Sequence, residues 1–228
     1  MKTKKYNYVA IIPARKGSKR LKNKNEKKIN KKNLLSYTLS AALKSKRISK
    51  IVISTDINKY LNYKNKKIIT LKRPKYLAGD KCSTELVMLH AINYLEEKKK
   101  KIINFILLQP TSPFRDHEDI NKAILKFEKG KYDSLLSAYQ EKLCLWKKDN
   151  KKFYPKNYDV NNYKKIGGQF QPLEIIENGA IYIFKVKKFK LIKNRLFGRI
   201  GVSVMLKINS IEIDNLEDLK LARLIAKA

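Results

Sequence analysis

An α/β fold, with a mainly parallel sheet and helices on both faces, is what this 228-residue sequence predicts. Three observations lead there. Short apolar runs rich in β-branched residues alternate with longer stretches of helical periodicity. Their order along the chain is strand, helix, strand, helix, which right-handed crossovers turn into parallel neighbours. Three of the apolar runs stop at proline or aspartate, Pro13, Asp56 and Pro110, where a strand opens into a loop.

The elements follow in order. YVAII (8–12) reads as a buried strand that runs into a basic loop. NLLSYTLSAALKSK (33–46) places Leu35, Leu39 and Ala42 at helical spacing. IVIST (51–55) is a second strand ending at Asp56, and KIITL (67–71) a third, followed by the loop RPKYLAGDK. STELVMLHAINYLEE (83–97) is a helix opened by Ser83, with Leu86 where a full capping box would have Glu. INFILLQ (103–109), the most apolar strand, stops at PTSP. A helix at 116–129 and a strand near SLLSAY (134–139) continue the alternation. Residues 145–175 break it: they are polar, dotted with aromatics and without a dominant period. A long irregular insertion of this kind in a compact domain serves as a functional flap, a partner contact or both. NGAIYIF (178–184) and SIEID (210–214) are the last predicted strands. In the closing helix Leu216, Leu219, Ala222 and Ile225 share one face, with Asn215 as N-cap and Asp218 three residues on. No repeat or linker divides the chain, so a single domain over 1–228 with one inserted flap is expected.

Hydrophobic content of 43% is ordinary for a globular protein, whereas a net charge of +33 is not. That charge alone argues for an anionic partner. The excess is mostly lysine spread over nearly every surface segment, however. A dedicated nucleic-acid binder concentrates cations on one stripe, with arginines for base edges and aromatics for stacking. The lysines therefore read mainly as a solvated surface, and no specific nucleic-acid partner is expected. Two cysteines, Cys82 and Cys144, make no disulfide framework, and two histidines, His90 and His117, make no legible zinc site. The N-terminal apolar run VAII is too short for a signal-peptide core, and no transmembrane run is present. A soluble, cytoplasmic chain with no membrane partner is the expectation.

IIPARKGSKRLKNKN (11–25) carries the first chemical signal. In open parallel sheets ligands sit beyond the carboxyl ends of strands, where this loop lies. Gly17 lets backbone approach a phosphate, and Ser18 can donate a hydroxyl hydrogen bond. Arg15, Lys19 and Lys24 can offset the roughly four negative charges of a triphosphate. The loop is neither a Walker A sequence nor G-x-G-x-x-G. Its plain alternative is a solvated basic loop.

The same stretch resembles the N-terminal signature of the sugar cytidylyltransferases, and most closely the CMP-acylneuraminate synthetases, whose pattern runs I-P-A-R-x-G-S-K-x-(I/L)-x-x-K-N. ISTD (53–56), RPKYLAGD (73–80), LLQPTSPFR (107–115), ENGAIYIF (177–184) and IEIDNLEDLKLA (211–222) are similar to that family's later blocks, in order. Two departures stand out. Glu212 occupies the first position of an acidic pair that relatives write Asp-x-Asp, and Gly167-Gly168-Gln169 lacks the basic residue that many relatives place before the flap glutamine.

The resemblance implies a three-layer Rossmann-like nucleotidyltransferase fold and transfer of CMP from CTP to the anomeric hydroxyl of a 2-keto sugar acid. It implies Arg15, Lys24 and Asp214 as catalytic residues, with Arg15, Gly17, Ser18, Lys19, Lys24 and Asn25 around the triphosphate. Arg73, the backbone at Cys82 and Thr84 are implied at the nucleoside, and Gln109, Arg115, Gln169 and Tyr182 at the acceptor. Glu212 and Asp214 would hold Mg²⁺ or Mn²⁺; two apart on a predicted strand, they would project from one face. Asp56 is a lesser candidate, supporting the metal or the loop. A homodimer through the flap is implied as well. The ENGAIYIF and IEIDNLEDL blocks favour a nine-carbon acid of the sialic or legionaminic type over the eight-carbon acid Kdo, and pseudaminic acid stays open. From another class, a nonenzymatic nucleic-acid-binding protein exploiting the charge is the competing reading.

Overall fold

The computed structural model describes residues 4–161 and 171–227. The chain opens with β1 (Lys4–Ala14), a small hairpin of β2 (Lys28–Ile29) and β3 (Lys32–Asn33), and helix α1 (Leu34–Lys44). It continues through β4 (Lys50–Thr55), β5 (Ile68–Lys72), the one-turn α2 (Lys75–Ala78) and α3 (Thr84–Glu97). Then come β6 (Lys100–Leu108), α4 (His117–Lys129) and β7 (Ser134–Lys142), followed by a second hairpin of β8 (Trp146–Asp149) and β9 (Lys152–Pro155). β10 (Leu173–Lys185), α5 (Val186–Ile192), β11 (Ile200–Val204) and α6 (Leu216–Ile225) complete it.

Seven strands form one sheet in the order β11-β7-β10-β6-β1-β4-β5. β5, β4, β1 and β6 run parallel, as do β7 and β11, while β10 lies antiparallel between β6 and β7. The mainly parallel sheet of the sequence reading is therefore present. β1 shows why its apolar run is continuous. Tyr8, Ala10 and Ile12 pack on one face with α1 and α4, while Val9 and Ile11 pack on the other with α3 and α5.

A third, smaller cluster matters most for function. Leu21 from the loop after β1 packs with Ile29, Leu34, Ile213, Leu219 and Ala222. It draws the opening basic loop against the acidic segment that precedes α6. The caps behave as expected: Ser83 accepts from Leu86 N, and Asn215 and Asp218 form a reciprocal capping box. Asp116 and Asp119 do the same for α4.

Three expectations need correction. Residues 210–214 are not a strand. A 3-10 turn covers Ile208–Ser210, and residues 211–214 pair with no strand among the described residues, held instead by Ile213 N donating to Thr111 O at 2.8 Å. The apolar–polar alternation at Ile211–Asp214 arises instead because Ile213 is a buried anchor of the small cluster. The loop RPKYLAGDK contains α2. The inserted flap has regular structure of its own, the β8–β9 hairpin, and it rises from a β7–β10 ladder that reaches Leu173 opposite Lys142. Gln169 lies outside the described residues.

Candidate functional site

The carboxyl ends of β1, β5 and β6 and the turn before α3 enclose a cavity of about 240 Å³. Arg15, Ser18, Lys24, Asn25, Arg73, Cys82, Thr84 and Gln109 line it, with Pro13, Leu77, Gly79, Val87, Pro110 and Thr111. A second cavity of about 280 Å³ shares Arg15, Ser18 and Lys24 and adds Lys19, Arg20, Leu21, Asp80 and Asp214. Residues spread from Arg15 to Asp214 thus meet in one cleft.

The loop after β1 hangs between two carboxylates. Arg15 pairs with Asp80 at 2.7 Å and donates to Ala78 O at 3.2 Å, while Lys19 reaches Asp80 at 3.0 Å. On the other side Lys24 and Arg20 each pair with Asp214 at 2.7 Å. Hydrogen bonds from Arg15, then Lys19, hold Asp80 below the usual carboxylate range. Burial works to raise Asp214, but the bond and charge of Lys24, with Arg20, outweigh it and lower that group. The backbone of the loop is fixed from below. Lys16 N donates to Asp56 Oδ1 at 2.8 Å, and buried Asn25 donates to Arg15 O at 2.9 Å. Asp56 is thus a support of the loop. Gly17 lies in the loop but lines neither cavity, and a Cβ there would meet nothing within 4 Å.

Arg73 enters from the end of β5. It is 5% exposed and donates to Ser54 Oγ at 3.2 Å and Ser54 O at 2.8 Å. Burial pulls its pKa to about 10, with Asp56 opposing the shift, so it is a cation at neutral pH. Cys82 is placed by its main chain, N to Gly79 O at 3.2 Å, just before Thr84 begins α3.

Glu212 and Asp214 diverge. Thr111 Oγ1 donates to Glu212 Oε1 at 3.1 Å. The Glu212 oxygens lie 3.5 Å from where a Cβ on Gly179 would stand, with Gln109 Nε2 at 3.6 Å. Burial, then the charge of Asp214, raises Glu212 above the ordinary carboxylate range. Glu212 also faces a cavity of about 270 Å³ with Glu177, Asn178, Tyr139 and Lys207.

Two residues assigned to the acceptor are not brought to these cavities. Arg115 is buried under the strand ends. Tyr182 packs in the core beside Phe184, its hydroxyl donating to Glu177 and Arg195 stacked 4.9 Å above its ring. Burial, then that bond, raises the Tyr182 pKa. Sequence reasoning passed over Asp80, Arg20, Thr111 and Glu177. Asp80 and Thr111 stood inside the quoted blocks, so position in a block was the available signal. Glu177 and Arg20 stood in quoted blocks too, but Arg20 was one cation among many in its own.

Among the described residues no three or more His, Cys, Asp or Glu side chains cluster as a metal cage. Magnesium takes one or two carboxylates and completes its shell with phosphate oxygens and water, and Asp214 beside the basic loop, with Glu212 two residues before it, offers donors of that kind.

Comparison with known proteins gives the family. The family model described as Cytidylyltransferase matches residues 9–167. The N-acylneuraminate cytidylyltransferase of Escherichia coli O18:K1:H7 is 34% identical over 94% of this chain, which spans 51% of that relative's length. The CMP-N,N'-diacetyllegionaminic acid synthase of Legionella pneumophila is 30% identical, covering 83% of this chain and 82% of the relative. Among solved structures, CMP:2-keto-3-deoxy-manno-octonic acid synthetase complexed with CTP superposes with a TM-score of 0.65 at 16% identity, covering 97% of this chain and 98% of that one. The 4-diphosphocytidyl-2C-methyl-D-erythritol synthase of Anaerococcus prevotii gives 0.68 at 15% identity, covering 98% and 97%. The two structures share the fold. With a family match over residues 9–167 and a 30% identical relative covered over 82% of its own length, the chain belongs to the cytidylyltransferase family.

Proposed function

We propose that this chain transfers CMP from CTP to the anomeric hydroxyl of a nine-carbon 2-keto sugar acid of the sialic or legionaminic type. The new bond joins the anomeric oxygen to the α-phosphorus. The α–β phosphoanhydride bond breaks, pyrophosphate leaves with its electron pair, and the hydroxyl proton passes to solvent. One observation carries the reading: Arg15, Ser18, Lys24, Asn25, Arg73, Cys82, Thr84 and Gln109, scattered along the sequence, line a single cavity. The relatives named for sialic and legionaminic acid indicate the acceptor class.

Reactions of this kind need charge neutralisation and in-line positioning more than covalent help. Arg15, Lys19 and Lys24 neutralise the triphosphate, with Ser18 donating to it and Asn25 holding the Arg15 backbone in place. Arg73 and the backbone at Cys82 meet the cytosine edge, whose acceptors and amino donor differ from those of uracil. Gln109 and Glu212 face the acceptor. Asp214 and Glu212 would hold Mg²⁺ or Mn²⁺, which when bound supplies further positive charge to the phosphates. A cytoplasmic setting is part of the same proposal. Among the described residues no helix is long and apolar enough to cross a membrane. A homodimer through the flap is supported by Trp146 and Phe153, 53% and 63% exposed on the β8–β9 hairpin.

The test is pyrophosphate release from CTP with sialic, legionaminic, pseudaminic and Kdo acids in turn, with magnesium or manganese present. Release with a nine-carbon acid is expected. Release with Kdo alone would move the assignment to the eight-carbon class. No release from any acid, together with RNA binding that survives high salt, would replace it with the nucleic-acid reading.

A further inference from the structure

Arg115 is 1% exposed, in the turn between β6 and α4. Its Nη1 donates to the carbonyl of Gln109 at 3.2 Å and to the carbonyl of Ala180 at 3.0 Å. Those two carbonyls have a particular place in the sheet. The antiparallel ladder between β6 and β10 ends with Ile181 opposite Leu108, so Gln109 and Ala180 are the first residues beyond it. There the strands part. Gly179 takes a positive φ of 67°, and the β7–β10 register shifts between Glu177 and Tyr182. The parting opens the side of the cleft where Gln109, Gly179 and Glu212 face one another.

Two carbonyls at a split in a ladder are buried acceptors that have lost their ladder donors, and leaving them unpaired is costly. A guanidinium satisfies both from one nitrogen. Nε and Nη2 find no partner among the described residues. Asp116 and Asp119 act on the charge only through the field, and burial brings the pKa to about 10, so the group stays cationic at neutral pH. Two longer bonds also reach the carbonyl of Gln109, from Ser112 N at 3.4 Å and Thr38 Oγ1 at 3.5 Å, and neither donor is charged.

We propose that Arg115 is a positioning residue, a buried cation that bridges the parted ends of β6 and β10 through the carbonyls of Gln109 and Ala180. It thereby fixes the gap between the Gln109 side chain and the wall formed by Gly179 and Glu212, and it tunes acceptor recognition without touching the acceptor. The word acceptor rests on the proposed transfer reaction; the bridging does not.

The test uses R115M, which keeps the stem and removes the charge, and R115K, which keeps the charge without the planar fork. In R115M the KM for the sugar acid rises about tenfold or more while that for CTP stays within about threefold, and R115K falls between. Hydrogen exchange accelerates about tenfold at 109–112 and 178–181 and stays at the wild-type rate in α1 and α3. Equal shifts in both KM values, or unchanged exchange at the two strand ends, would overturn the proposal. If wild-type protein releases no pyrophosphate with any acid, the transfer reading fails, and the exchange measurement alone decides the bridge. If R115M does not fold, the same measurements on R115K decide.

Discussion

Replacing Asp214 with asparagine removes a charge at nearly constant volume, and so separates what the carboxylate does for the fold from what it does for turnover. The structural loss is small. Asp214 faces Lys24 and Arg20, each at 2.7 Å, but Arg20 is 76% exposed at its side chain and Lys24 only 17%. The Arg20 pair lies in water and is worth a few tenths of a kcal/mol, while the more sheltered Lys24 pair reaches about 1 kcal/mol. Asparagine keeps one acceptor oxygen, so about 1 kcal/mol in all is an upper figure after solvent screening. For a chain of this length that is a fall in Tm of about 2–4 °C. The pH dependence has a definite sign. Lys24 and Arg20 leave the folded pKa of Asp214 lowered. The stabilisation is therefore complete above the unfolded aspartate pKa of about 3.9 and is lost as pH falls through the lower folded value. The Tm gap between wild type and D214N, present at pH 7, should close toward pH 3. Turnover should fall about 100-fold or more, the scale on which removing one preorganised electrostatic group acts. Scanning calorimetry and pyrophosphate release read the two quantities. Near-wild-type turnover would refute the catalytic assignment, and a Tm fall above about 10 °C would make Asp214 a structural residue.

R73A should lose preference for CTP over UTP and also unfold more easily by about 1–3 kcal/mol, because Ser54 loses its buried partner; unchanged selectivity in competition assays removes Arg73 from the base site. D80N should bind inorganic pyrophosphate more tightly by calorimetry, since Arg15 and Lys19 lose a competing anion; weaker binding would show that Asp80 orders them for the ligand instead. G179A should cost about 1 kcal/mol in urea denaturation through its positive φ alone, because the new Cβ would sit in ordinary contact with Glu212 and Gln109; a neutral result would mean that the local backbone relaxes.

The cleft was legible because each of its walls begins where an apolar run meets a polar residue: Arg15 after β1, Arg73 after β5, Gln109 after β6. Such junctions are local, and local signals survive in sequence. What was hidden depends on distant partners. Arg115 reads, by its place in a block, as a contact to the acceptor, and only Ala180, 65 residues away, gives its charge a reason to be buried. The segment at 210–214 has strand-like alternation, yet a strand needs a neighbour, and the sequence cannot show that none is beside it. β11 hides the other way. Its apolar Ile200 and Val204 are exposed while Gly201 and Ser203 face inward, because the Tyr132 ring fills the space a larger side chain at Gly201 would need. Alternation there predicts the wrong face.

The suspension of the first loop between Asp80 and Asp214 bears on how ionic strength should act. Its cations arrive already matched with protein carboxylates, so an incoming polyphosphate exchanges one set of fixed anions for another and liberates few mobile ions. Affinity should then decline with added salt less steeply than a tally of arginines and lysines suggests. Despite its large surplus of positive charge, the molecule would grip its small anion in a manner largely indifferent to the surrounding electrolyte.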